Sequence, residues 1–264
     1  MGHVEWVRFA RVVRVPEPGS IVTATESWEE PGGGGADAAG ELVRLGADVD
    51  FFLAVGNDEV GEQARHALAT LGCRVHTAKR SEPQRLAFTY VDDAGERTIT
   101  LIGPKLHPHG SDPLPWSELA DVDAVYFSAG DADALRAARQ ARVLVATARE
   151  LPTLVEAKVP LDALVRSGLD PSEGYEPGLL DPAPKLVVST MGRTGGTFIA
   201  GDEEGTFASA ELPGPIVDAY GAGDSFAAGL TFALGRGDGP AAALAFAAQC
   251  GATALTRRGA HGTA

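Results

Sequence analysis

The 264-residue sequence predicts an α/β fold, a parallel sheet covered by helices on both faces with a small antiparallel β-sheet standing off it. Two patterns carry this expectation. Short apolar runs alternate with segments of helical spacing, which implies βαβ units. Two β-rich runs at 86–92 and 97–102 also flank Asp93-Ala94-Gly95-Glu96, a hairpin signal that a doubly wound sheet does not need.

Taken in order, residues 1–15 carry Glu5, Arg8, Arg11 and Arg14 among apolar residues, so they read as a first strand with His3 on it rather than a signal peptide. Residues 20–25 (SIVTAT) are strand-like. The glycine run 32–35 opens a helix reaching Leu45. Residues 49–55 read as a buried strand, and 59–71 as a helix with Val60, Ala64, Ala67, Leu68 and Leu71 on one side. The antiparallel pieces at about 20–26 and 86–102 form either a decoration or a lid over a site. Strands follow at 124–128, 143–146, 161–165 and 186–190, with a helix at 131–140. A second hairpin is expected from 198–201 and 206–209. The end reads as two apolar helices, 222–234 and 240–256, with Pro240 at a first helical position. No stretch has linker composition, so residues 1–264 read as one fold with an embedded lid.

Composition removes several function classes. The formal net charge is −14, which argues against a partner held by phosphate neutralisation, so no nucleic acid is expected. No apolar run of 18 residues occurs, so no membrane span is expected. The two cysteines, Cys73 and Cys250, have no metal-ligand spacing and read as buried small hydrophobes. A cytoplasmic protein is the expectation. His107 and His109 read as part of a solvated loop.

The strongest local chemistry lies in Asp218-Ala-Tyr-Gly-Ala-Gly-Asp224, which leads straight into an apolar helix. Gly221, Ala222 and Gly223 leave their N–H groups free to face an anion at a helix N-terminus. Asp224 at the lip either caps the helix or takes a proton from an attacking hydroxyl. Gly32-Gly33-Gly34-Gly35-Ala-Asp37 is either a phosphate loop or a close backbone approach to a polyol, with Asp37 accepting from hydroxyls. Thr190-Met-Gly192-Arg-Thr-Gly195 follows a strand, at the end where α/β sheets bind ligands. Asp170-Pro-Ser-Glu173 is either a solvated turn or a pair of hard oxygen donors for a metal through water. No G-x-x-x-x-G-K-[ST] pattern occurs.

Together these motifs resemble the ribokinase-like carbohydrate kinases, the PfkB family, over nearly the whole chain. Residues 218–224 (DAYGAGD) are similar to its C-terminal signature. Residues 32–39, with Arg44-Leu-Gly46 and Val55-Gly-Asn-Asp-Glu-Val-Gly61, are similar to its N-terminal one. The resemblance implies a ribokinase-like three-layer α/β/α sandwich with a β-sheet lid. It implies transfer of the γ-phosphoryl of ATP to a hydroxyl, usually a hydroxymethyl, of a sugar. By resemblance Asp224 is the general base, and Gly221, Ala222 and Gly223 form the anion hole. Gly33, Gly34 and Asp37 match the sugar-binding loop; Glu5 is the nearest candidate for the sugar-binding acid after the first strand. Thr190, Gly192 and Gly195 match the nucleotide loop, and residues 247–259 flank adenine. Asp170 and Glu173 stand at the family's N-x-x-E, with Glu173 ordering Mg²⁺ through water. Asp218 and the carbonyl of Tyr220 match positions that hold a monovalent cation such as K⁺ in many members. A homodimer through the lid is implied by some relatives.

Two departures concern the acceptor. The family's Asn in G-G-x-x-x-N is Asp37, and the first residue of N-x-x-E is Asp170. Alternatives therefore stand beside the sugar kinase: a nucleoside or vitamin-precursor kinase of the same fold, or a non-catalytic sugar- and nucleotide-binding protein.

Overall fold

In a computed structural model that describes residues 1–262, the amino-terminal half gives β1 (Glu5–Arg11), β2 (Glu26–Gly32), α1 (Gly34–Arg44), β3 (Asp50–Gly56), α2 (Glu59–Thr70), β4 (Arg74–Arg80), β5 (Leu86–Val91) and β6 (Arg97–Ile102). The remainder gives β7 (Ala124–Phe127), α3 (Ala132–Ala138), β8 (Val143–Thr147), α4 (Leu151–Ala157), β9 (Ala163–Ser167) and β10 (Val187–Thr190). The hairpin β11 (Gly196–Ala200) and β12 (Glu203–Phe207) and the helices α5 (Ala222–Gly235) and α6 (Pro240–Ala254) complete the order.

Strands β7, β8, β9 and β10 are parallel neighbours, and β11 and β12 extend them antiparallel. A parallel pair, β3 and β4, lies beyond β7. The extended residues 1–4 bridge the two: Gly2 N donates to Phe52 O at 3.0 Å, and Ser128 N donates to Met1 O at 3.0 Å. Successive residues on β8 and β9 face opposite ways. Val145 and Val165 pack under α5 and α6, with Phe226, Leu230 and Leu244. Leu144 and Leu164 pack against α3 and α4, with Leu135 and Leu154. A sheet apolar on both faces must be covered twice, and this gives the three layers.

The lid is a four-stranded sheet in the order β2-β1-β5-β6. Its inner face buries Val7, Phe9, Ala87 and Val91 against Tyr220 and Ala260. The Phe9 ring stacks on Trp28 at 4.6 Å and meets Tyr220 edge-on at 4.9 Å. On the other side every residue of β6 is exposed.

Two expectations shift. Residues 20–25 form no strand: Ile21 is 99% exposed, and β-branched residues with no neighbour to pair with stay irregular. The pairing strand begins at Glu26, in a polar sequence (ESWEEPG) whose alternation is half-exposed against β1. The first strand itself, Glu5–Arg11, belongs to the lid, and His3 precedes it. Elsewhere the expected strands and helices occur with ends displaced by one to three residues, the largest shift being β12, which begins at Glu203 rather than 206, and Cys73 and Cys250 are both buried and free. Among the described residues, no helix is long and apolar enough to cross a membrane.

Candidate active site

Two helix N-termini meet beneath the lid. Gly221 adopts φ 71° and opens α5 with no side-chain cap, so the first N–H groups of the helix stay unspent. A β-carbon at Gly223 would meet nothing within 4 Å, so its backbone borders open space. Asp224 lies in the first turn of α5. A β-carbon at Gly34 would sit 2.8 Å from Asp224 Oδ1, so α1 approaches that carboxyl with bare backbone. Reciprocally, a β-carbon at Gly221 would sit 3.4 Å from Oδ2 of Asp37, in the first turn of α1. Gly33 N donates to the Tyr220 hydroxyl at 3.2 Å, which ties the two loops together. The structure thus brings Gly33, Gly34, Asp37, Tyr220, Gly221, Ala222, Gly223 and Asp224 into one place.

The electrostatics separate the carboxyls. Asp37 is 3% exposed and its Oδ1 has no hydrogen-bond partner. Burial raises its pKa well above the ordinary value, and Asp224, Glu30 and Glu5 raise it further. Burial also raises Asp224, but Arg149 and Arg97 pull it back. The Asp224 charge opposes ionisation of Asp37, while two guanidinium groups, Arg149 and Arg97, act against burial at Asp224 and Arg97 alone at Asp37. Glu5 is buried, with its Cγ toward Gly33 and its Oε1 3.2 Å from Arg85 Nε. Burial pushes the His3 imidazole down to about 3, so it stands neutral beside Glu5.

Asp218 is fully buried, and its two oxygens accept from Tyr220 N at 2.8 Å and Gly259 N at 2.7 Å. The neighbouring backbone is held from the lid: Ala219 N donates to Gly95 O at 3.0 Å, and Arg97 Nη1 donates to Ala219 O at 2.8 Å. The loop that sets the cradle is therefore fixed by both the carboxyl-terminal segment and the lid hairpin.

A cavity of about 550 Å³ adjoins the cradle, bounded by Thr190, Gly192, Gly195, Gly223, Gly251, Leu255 and the lid tip at Gly95. Gly192 and Gly195 both have positive φ, and a β-carbon at Gly195 would lie 2.0 Å from Phe207 O. Arg149 and Glu173 act on the charge of Asp224, and Arg149 Nη2 lies 2.7 Å from Glu173 Oε1 and 3.3 Å from Asp170 Oδ2. Glu173 Oε2 accepts from Ser167 N at 2.6 Å, and Asp170 Oδ1 accepts from Ser172 N at 2.9 Å. Both acids are hard oxygen donors suited to Mg²⁺ through water, already shared with a guanidinium. A second cavity, of about 510 Å³, opens between α1, β3 and β7. It sits where β3 and β7 begin, opposite the end at which such sheets carry their chemistry.

Sequence reasoning missed Arg149, Arg97 and Arg85. Arg149 had a usable signal, since it follows the carboxyl end of β8 directly. Arg97 and Arg85 did not, because each reaches the site through the pairing of the lid strands.

The fold and this constellation define a ribokinase-type α/β kinase. The putative ribokinase from Agrobacterium tumefaciens superposes with a TM-score of 0.81 at 22% identity, covering 99% of this chain and 92% of that one. The ribokinase of Arabidopsis thaliana, solved with ribose and ATP, gives 0.72 at 20% identity, covering 98% and 92%. The pfkB family carbohydrate kinase pattern matches residues 2–158 and 131–264, and the chain belongs to that family of phosphotransferases. The ATP-dependent ribose-1-phosphate kinase of Halopiger xanaduensis is 27% identical, covering 98% of this chain and 92% of its own length. The fructokinase of Klebsiella pneumoniae is 29% identical over 87% of each.

Proposed function

We propose that the chain transfers the γ-phosphoryl of ATP to a hydroxyl group of a sugar or closely related polyol, with Asp224 as general base. The observation that carries this reading is Asp224 at the uncapped N-terminus of α5, against the bare backbone of Gly34. Asp224 takes the acceptor's proton as its oxygen bonds to phosphorus and the bond to the departing ADP breaks. The N–H groups of Gly221, Ala222 and Gly223 offset charge on the transferring group. Arg149 and Glu173 stand on the phosphate side, with Thr190, Gly192 and Gly195 bordering the nucleotide cavity. Glu173 and Asp170 would hold Mg²⁺ through water, and that ion would supply further charge neutralisation. A monovalent cation near Asp218 and the Tyr220 carbonyl would stiffen the cradle.

The acceptor pocket is Glu5, Gly33, Gly34 and Asp37. Relatives named for ribose 1-phosphate and fructose support a sugar or sugar phosphate. The aminoimidazole riboside kinase of Salmonella typhimurium, 27% identical over 87% of this chain, supports a nucleoside as second reading. The lid hairpin, touching the cradle loop through Gly95 and Arg97, closes over the acceptor. Its outer strand β6 supports pairing with a second copy. The test is ADP release from ATP and Mg²⁺ with a panel of free sugars, sugar phosphates and nucleosides. Turnover on one class is expected; ATP binding without turnover on any overturns the reading in favour of a non-catalytic binding protein.

A further inference from the structure

Arg85 is absent from every role assigned above, yet its backbone is fixed with care. Gln84, 3% exposed, accepts from Gly56 N at 3.1 Å and donates to Val4 O at 2.8 Å. Arg85 O then accepts from Trp6 N at 3.0 Å. The lid register pairs Trp6 with Leu86, so Glu5 and Arg85 stand one step earlier on neighbouring parallel strands. Adjacent positions in register share a face. The Glu5 side chain faces Gly33, at the acceptor side of the cradle, and Arg85 therefore faces it too.

The guanidinium is under-used where it sits. Its side chain is 14% exposed, and the contact of Nε with Glu5 Oε1 at 3.2 Å falls outside hydrogen-bond geometry, leaving Nε without a partner. Among the described residues it makes no other ion pair. A guanidinium carries five donors in a rigid planar fork; here Nε alone is buried without a partner, and the outer nitrogens stay open to solvent. Glu5 supplies charge balance. Its contact is with Nε, which leaves the two outer nitrogens free to meet a ligand. The neighbouring acids do not occupy them either: Asp37 and Asp224 lie across Gly33 and Gly34, toward α5.

We propose that Arg85 is a specificity-determining residue of the acceptor site, its outer guanidinium nitrogens donating to two neighbouring oxygens of the acceptor while Glu5 holds the group in place. This rests on the kinase reading given above. The recognised chemistry is a pair of oxygens about as far apart as the fork's nitrogens. Adjacent hydroxyls of a free sugar supply it, and so do two oxygens of a phosphate carried by a sugar. Fixed beneath the lid, the fork selects an acceptor by the placement of that pair.

The experiment compares wild type with Arg85→Lys and Arg85→Gln on whichever acceptor the panel identifies, each as free and phosphorylated sugar where both exist. Arg85→Lys keeps the charge against Glu5 and therefore the fold, and melting temperature verifies this. The expected result is a rise in KM for the acceptor of about 10- to 100-fold, as for the loss of a charged hydrogen bond. KM for ATP and kcat should stay within about twofold. An unchanged acceptor KM in the folded lysine variant overturns the proposal. A loss confined to phosphorylated acceptors assigns the oxygens to phosphate, and a loss confined to free sugars assigns them to hydroxyls. Absence of wild-type turnover on the whole panel instead refutes the kinase reading, a distinct result. Calorimetric titration of fructose and of ribose 1-phosphate into wild type and Arg85→Lys then still tests Arg85: a weakening of about tenfold or more upholds it, and equal affinity, or no binding of either to wild type, overturns it.

Discussion

Asp37 and Asp224 face one another across the paired N-termini of α1 and α5, each carboxyl lying against a glycine of the other's helix: Asp224 against Gly34, Asp37 against Gly221. Burial and mutual repulsion raise Asp37 well above its ordinary range, and no ion pair involves it among the described residues. It is thus a carboxyl that the fold biases toward its neutral form. Other groups facing it are Glu30 on β2, Glu5 on β1 and Arg97 on β6.

The first prediction follows from that proton. A carboxyl whose folded pKa is raised binds its proton more tightly in the folded state. Its stability contribution is fully present below the unfolded carboxylate value and is lost as pH rises through the folded value. Asp37→Asn removes this liability. Its melting temperature should exceed wild type at pH 8 by several degrees, since about 1 kcal/mol moves a chain of this size by roughly 2–4 °C. The gain should shrink toward pH 4, where both side chains are neutral. A difference independent of pH would place the ionisation elsewhere.

Asp224 carries the second. Asp224→Asn should lower kcat by about 10²- to 10⁴-fold, the range of general-base loss, with ATP affinity within about twofold of wild type. Because burial raises Asp224, wild-type kcat/KM should fall on acidification at a pH above that of an ordinary aspartate. Steady-state rates across pH 4–8, with calorimetric ATP titration, check both parts. Gly34→Ala should mimic the kinetic loss in a folded protein, because its β-carbon would intrude to 2.8 Å from Asp224 Oδ1.

How far these features were legible depended on whether the signal was local. The cradle from Asp218 to Asp224 is a contiguous motif, and backbone geometry at a helix start follows from its own glycines. The main-sheet strands were legible because burial on both faces writes a continuous apolar run, as in Leu144, Val145 and Ala146. Strand β2 was not, since a lid strand buried on one side alternates weakly and Glu29 and Glu30 look like loop residues. The same limit hid Arg97 and Arg85. Their contacts with Ala219 and Glu5 span 122 and 80 residues of chain, a separation no spacing rule reaches.

A third prediction concerns the brace behind the cradle. Arg257 Nη2 donates to Glu41 Oε2 at 2.7 Å, with side chains 6% and 5% exposed. Arg44 shares Glu41 at 3.0 Å and donates to Ala260 O at 2.7 Å. This network ties α1 to the segment whose Gly259 N anchors Asp218. Among the described residues Glu41 is the one ion-pair partner of the buried Arg257, so Glu41→Met strands that charge and should cost about 3–5 kcal/mol. The double change Glu41→Met with Arg257→Met should cost less than the single one. Urea unfolding of Glu41→Met, Arg257→Met and the double variant decides it, and additive losses would argue against coupling.

The last prediction tests the outer edge of the lid. Strand β6 pairs with β5 on one side only, which leaves a row of backbone donors and acceptors open on the other. Ile99, Leu101 and Ile102 on it are 40%, 49% and 53% exposed, more apolar surface than an isolated edge strand usually tolerates. Natural edges are blunted by lysine, proline or bulges, and Arg97-Thr-Ile-Thr-Leu-Ile102 has no lysine and no proline. A second copy seated edge to edge would satisfy both the backbone and the apolar side chains. Sedimentation at micromolar concentration should therefore show a dimer. Leu101→Lys should shift it to monomer, leaving melting temperature at low concentration nearly unchanged because the side chain is already half in solvent. In the dimer, amides of β6 should exchange more slowly than those of residues 20–25, which have no strand partner. A wild-type monomer at all concentrations, with fast exchange along β6, would leave the edge solvated and the dimer refuted.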